Sequence, residues 1–104
     1  LTTFDEREHA FEAKFAHDAE MQFKAEARRN KLLGQWAAKL LGKTGVDVQT
    51  YAASIVSTNL EEPGDEDIFR KLASDLDGHV NHDDLRAKMS KLMAAAKIEI
   101  MNEL

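Results

Sequence analysis

Leu32-Leu33-Gly34-Gln35-Trp36-Ala37-Ala38-Lys39-Leu40-Leu41-Gly42-Lys43-Thr44-Gly45 decides the fold. Bulky apolar residues recur at helical spacing over its first ten positions, and two glycines then end the pattern. The apolar set Leu32, Leu33, Trp36, Ala37, Leu40 and Leu41 is dense enough to be a core-facing stripe. Upstream, Ala, Glu, Lys and Arg dominate, all good helix formers, so the same helix is expected to run back to about Phe4. Thr3 suits its N-cap, with Glu6 three residues on completing a capping box. Gly34 is its one weak point.

Downstream, the punctuation at Gly42–Gly45, at Glu61-Glu62-Pro63-Gly64-Asp65 and at Gly78 divides the chain into four helical segments, with no convincing alternating strands. The second is expected from about Asp47 to Asn59, with Val48, Tyr51, Ala52, Ile55 and Val56 on one face. The third runs from about Glu66 to Asp77 behind Ile68, Phe69, Leu72 and Leu76, with Gly78 as its stop. The fourth runs from about His82 to Met101. Asn81 is its cap, Val80 and Leu85 suit a staple around it, and Leu85, Met89, Leu92, Met93, Ala96 and Ile100 line its face. Short connections between amphipathic helices predict an all-α, antiparallel four-helix bundle. The first helix is too long for it: 38 residues make a rod of roughly 55 Å. Its denser half belongs in the core. The half before about Phe23 is expected to project or to be disordered when free, which gives an arm over residues 1–22 and a bundle over 23–104.

The arm carries Phe4, Phe11 and Phe15 at spacings of seven and four, a narrow stripe at about 100° per residue. Asp5, Glu6, Arg7, Glu8, Glu12, Lys14 and Asp18 surround it. Such a stripe suits an apolar groove on another protein. On the alternative reading the arm folds back and buries the three rings in its own bundle.

Charge narrows the function. The 104 residues carry a net charge of −5. Residues 1–42 hold seven basic and seven acidic side chains, and residues 43–104 hold seven and twelve. An acidic body argues against nucleic acid, which needs a basic face. The only basic spot, Arg28-Arg29-Asn30-Lys31, reads first as a solvated helix face. Arg28, Arg29 and Lys31 are also the candidates for an alternative, nucleotide-sensing role. The absence of cysteine excludes disulfides and thiolate chemistry. No apolar run reaches the length of a membrane span. The start, with Leu1 where a Met would be expected, lacks a signal-peptide layout, so a cytoplasmic protein is expected.

Catalytic motifs fail on inspection. Gly42-Lys43-Thr44 lacks the first P-loop glycine, since Ala37 stands there, and no strand precedes it. Asp75-Leu76-Asp77-Gly78 would place Ala73 at the first position of a calcium loop, which needs an oxygen ligand. His79, His82 and Asp83 lack a zinc-site pattern, so no metal or cofactor is expected. His9 and His17 read as surface residues of the arm. No nucleophile, base and oxyanion donor can be assembled, so an enzyme is not expected.

The words themselves carry a resemblance. Thr2-Thr3-Phe4-Asp5-Glu6-Arg7-Glu8, Ala10-Phe11-Glu12 and Lys14-Phe15-Ala16-His17-Asp18 look like the opening of the alphaproteobacterial ATPase inhibitor family, the zeta subunit of the F-type ATP synthase. Phe23 to Gly34, Trp36-Ala37-Ala38, Glu61 to Asp67, Leu85-Arg86 and Lys88-Met89 continue the match. The resemblance implies a regulatory protein that binds the catalytic head of the ATP synthase, its alpha, beta and gamma subunits, and blocks ATP hydrolysis. It implies that the region from Thr2 to Ala19 enters an alpha–beta catalytic interface near the gamma stalk. Carried onto this chain, the contact residues are Thr3, Phe4, Asp5, Arg7, Glu8, Phe11, Glu12, Lys14, Phe15 and Asp18. The expected protein is a monomer when free, held at the inner face of the plasma membrane only through the ATP synthase.

Overall fold

The computed structural model describes residues 18–61 and 64–103. They form four helices: α1 (Ala19–Leu40), α2 (Val46–Glu61), α3 (Asp65–Asp75) and α4 (His82–Asn102). No strand occurs among the described residues.

The first helix does not continue unbroken from Phe4 to Leu41 as the composition predicts. Asp18 is extended, at φ −112° and ψ 100°, and its side chain accepts a hydrogen bond from the Met21 amide at 3.1 Å. An aspartate so placed satisfies one of the orphan amides of the first turn and favours a start there. The expected cap at Thr3 and its box with Glu6 lie outside the described residues. At its other end α1 closes in a Schellman turn. The Lys43 amide donates to the Ala38 carbonyl and the Gly42 amide to that of Lys39. Gly42 takes φ +77°, a left-handed conformation that side chains resist.

α1 and α2 therefore form an antiparallel hairpin. Gly34 sits at a close approach of the two helices, where an added Cβ would lie 2.5 Å from the Ala52 Cα. The residue that looks like a flaw in the helix is what lets the two backbones meet. Asn81 begins α4 as expected, accepting from the Asp84 amide at 2.7 Å. α4 runs antiparallel to α1, and α3 antiparallel to both α2 and α4. Leu33, Ala37, Ile55, Ile68, Leu72, Leu76, Leu85 and Met89 form the main core, with Trp36, Leu41, Tyr51, Phe69 and Val80 packed around it. Leu40, expected inside, is 38% exposed, whereas Leu41 beside it turns onto the core. A second cluster of Met21, Ala25 and Ile100, flanked by Met93 and Met101, joins the start of α1 to the end of α4.

Between α2 and α3, Tyr51 donates to Asp75 at 2.7 Å, and Lys71 pairs with the same carboxylate at 3.1 Å. Burial, and then the hydrogen bond to Asp75, push the Tyr51 hydroxyl well above its ordinary value. Burial alone would raise Asp75, but the bonds from Tyr51 and Lys71 outweigh it and leave the carboxyl lowered. A group raised on folding stabilises below its unfolded value, about 10 for tyrosine, and loses that contribution as pH rises through the folded one. Tyr51 is the only tyrosine in the chain. Its ionisation, followed by tyrosinate absorbance, is therefore expected to occur above pH 10 and together with loss of the helical circular dichroism. Titration near pH 10 with the helix signal intact would contradict this. The Asp75 contribution has the opposite sense and is lost as pH falls through its lowered value.

Candidate functional site

Of the contact residues expected on the arm, Asp18 alone is described. Its carboxylate caps α1, so it fixes where the preceding chain meets the bundle. Thr3, Phe4, Asp5, Arg7, Glu8, Phe11, Glu12, Lys14 and Phe15 lie outside the described residues, as do His9 and His17.

The first half of α1 is tied to the end of α4. Arg28, on the third turn of α1, reaches Glu99 at 3.0 Å and Glu103 at 2.7 Å. The hydrogen bonds to Glu103 and then Glu99 raise the guanidinium above its ordinary value. The last turn of α4 has no basic residue of its own, and two carboxylates there oppose the helix dipole. Arg28 supplies the missing cation from another helix. The pairs are partly exposed, so screening keeps each contribution small, about 0.2–1 kcal/mol. They tie the middle of α1 to the last turn of α4.

The basic cluster is not the solvated face that its composition suggests. Arg29 is only 2% exposed and Asn30 is fully buried. Arg29 donates through Nε to Asn30 Oδ1 at 3.0 Å and through Nη1 to Asp65 Oδ1 at 2.7 Å, at the start of α3. Its Nη2, Asn30 Nδ2 and Asn59 Oδ1 are buried without a hydrogen-bond partner. Lys31 is exposed and lines a groove of about 520 Å³ between α1 and α2 with Gln35, Gln49, Ala53 and Val56. The three cations named for nucleotide thus point at three different surroundings: the end of α4, the start of α3 and the α1–α2 groove. Consecutive helical residues diverge by about 100°, and that rotation separates Arg28 from Arg29.

Sequence reasoning missed the roles of Glu99, Glu103 and Asn59. The first two left a signal, an acidic helix end without a compensating cation. Asn59, buried near the end of α2, left none. His79 and His82 are exposed, and His82 stands edge-on to the Phe69 ring with centroids 5.3 Å apart. Among the described residues no group of three His, Asp or Glu side chains is arranged to hold a metal. No described helix is long and apolar enough to cross a membrane.

Comparison with known proteins places this arrangement. A protein solved by solution NMR superposes with a TM-score of 0.73 and is 54% identical, over 81% of this chain and 99% of that one. No curated protein matches. The family model for ATPase inhibitor subunit zeta matches residues 1–99, spanning the stretch upstream of Asp18 and nearly all of the four-helix body. A regulatory family, an all-helical body and the long charged segment ahead of it agree with one another: this chain belongs to the ATPase inhibitor subunit zeta family.

Proposed function

We propose that this chain inhibits ATP hydrolysis by the F-type ATP synthase, placing its N-terminal segment in an alpha–beta catalytic interface beside the gamma stalk. The observation that carries the reading is the extent of the family match, which takes in the arm and the bundle as one unit over residues 1–99. Phe4, Phe11 and Phe15 pack into the interface, and the charges around them set register and orientation. The segment acts as a wedge: it binds one conformation of the interface better than the others and so holds the rotary cycle there. The free protein is a monomer, and it reaches the inner face of the plasma membrane through the ATP synthase.

The arm ends, in functional terms, before the capped start of α1. Met21 packs into the cluster with Ile100, so a cut at residue 22 would remove part of the bundle. The test is ATP hydrolysis by the isolated catalytic head, titrated with the full chain, with residues 18–104, and with a Phe11→Ala, Phe15→Ala variant. Inhibition is expected from the full chain only, with the double variant at least tenfold weaker. Equal inhibition by residues 18–104 would move the active surface onto the bundle.

A second reading, a bundle that senses nucleotide, is favoured by the groove beside Lys31. Amide shifts at Lys31, Gln35, Gln49 and Ala53 on addition of ATP or ADP would support it, and unchanged spectra at millimolar nucleotide would remove it.

A further inference from the structure

Phe23, on the second turn of α1, is 56% exposed, the largest apolar side chain so exposed among the described residues. Helical geometry explains why it is bare. Gly34 follows it by eleven residues, close to three turns of about 3.6 residues each, so both point to the same side of α1. That is the side that α2 covers, with Ala52 against Gly34. α2 runs antiparallel and stops at Glu61, nine residues past Ala52, so it ends before it comes level with Phe23.

The polar neighbours of Phe23 are already satisfied along the helix. Glu20 pairs with Lys24 at 3.3 Å on one flank, and Gln22 donates to Glu26 at 3.2 Å on the other. Ala19 and Ala27, one turn before and one turn after, complete an apolar strip between the two pairs. A surface laid on this strip buries an aromatic ring without stranding a charge, since each flanking group keeps a partner made within α1. An aromatic anchor ringed by groups that shut out water is the usual make-up of an interface hot spot. The place is right as well. Residues 1–17 join the bundle at Asp18, and the five residues of helix from there to Phe23 span only about 7.5 Å. A partner that holds those seventeen residues up to Asp18 is already at the edge of the strip.

We propose that the strip of Ala19, Phe23 and Ala27 is the bundle's own contact with the protein that receives the N-terminal segment, the Phe23 ring entering an apolar pocket at the mouth of the alpha–beta interface. This rests on the reading that the segment occupies that interface. It carries the contact surface past the cap at Asp18 and onto the folded body. The upstream residues block, and Phe23 seats the body against the entrance. The two contacts lie on neighbouring stretches of one chain, so engagement of either raises the effective concentration of the other.

Two experiments with the full chain and the isolated catalytic head test it. In the first, Phe23→Ala is compared with Ile98→Ala. Ile98 is as exposed as Phe23 and stands two residues before the buried Ile100, on the outer side of α4. Phe23→Ala is expected to raise the concentration needed for inhibition about tenfold, and Phe23→Leu to recover most of that loss. Ile98→Ala should leave inhibition as it was, and thermal melting should be the same in all three. Undiminished inhibition by Phe23→Ala, an equal loss with Ile98→Ala, or a lowered melting temperature of Phe23→Ala would overturn the proposal. In the second, the photo-reactive p-benzoylphenylalanine replaces Phe23 or Ile98, and the mixture with the catalytic head is irradiated. A cross-link to the alpha or beta subunit is expected from position 23 alone. No cross-link there, or an equal yield from position 98, would overturn the contact. Failure of the unaltered chain to inhibit would count against the proposed function. Cross-linking from position 23 would in that case still establish the docking strip, and its absence would overturn both.

Discussion

Gly34→Leu is expected to abolish cooperative folding. The position lies inside α1, where helix propensity alone favours replacement of glycine by about 1 kcal/mol. Packing reverses that sign. A Cβ here would stand 2.5 Å from the Ala52 Cα and 3.0 Å from its Cβ. The nearer atom is backbone, so no rotamer change relieves the clash and the two helices must part. Overpacking by a single methyl group typically costs about 1–3 kcal/mol, so Gly34→Ala is expected to be destabilising by about 1–2 kcal/mol net. A leucine forces much wider separation of α1 from α2, the most extensive helix pair of the fold. The total stability available to a domain of this size is roughly 5–15 kcal/mol. Fluorescence of Trp36, the only tryptophan, and far-UV circular dichroism on heating report the outcome. A Gly34→Leu protein melting within a few degrees of the parent would show that the hairpin is not as close as described.

Leu72→Ala carries the second large effect. α3 has eleven residues, below the roughly 12–15 at which an isolated helix becomes marginally stable in water. It exists because Ile68 and Leu72, with Leu76 at its end, are fully buried against the other helices. Truncating the middle anchor removes its transfer free energy and leaves a cavity, with an expected loss of about 2–5 kcal/mol by urea denaturation. The loss should exceed that of a comparable site on α1, because α3 also brings Asp65 to Arg29. When α3 loosens, a buried guanidinium loses its ion-pair partner. A loss under about 1 kcal/mol would mean that α3 is held by something other than its apolar face.

What the sequence made legible follows the range over which each feature is determined. The cap at Asn81, the faces of α2, α3 and α4, and the turn at Gly42–Gly45 depend on neighbours within a few residues, and periodicity finds them. Arg29 is buried because its side chain meets Asp65, 36 positions further along the chain. Nothing in the Arg-Arg-Asn-Lys stretch distinguishes that arginine from the partly exposed Arg28 before it or the exposed Lys31 after it. Gly34 misleads for the same reason, since its value lies in Ala52 on another helix and its cost in its own. Asp18 sits in a run of good helix formers, and propensity carries the expected helix straight past it. The start of α1 is settled by one side-chain hydrogen bond, worth about 1 kcal/mol, which a sum over a long window obscures. For the candidate site, the aromatic spacing of the arm is fully visible in the sequence, whereas the exposure of Phe23 depends on where α2 stops along α1.

The capped junction at Asp18 is also a mechanical joint. A push or pull transmitted from upstream along the axis of α1 enters the bundle at the first turn of that helix. There it acts parallel to α2 and α4, which lie antiparallel beside α1. Load in that direction has to slide the helices past one another, with the Gly34–Ala52 contact and the Arg28 clamp resisting together, instead of peeling contacts away one at a time. The first turn of α1 is therefore stiffest against load along the axis of that helix, where two antiparallel neighbours resist at once.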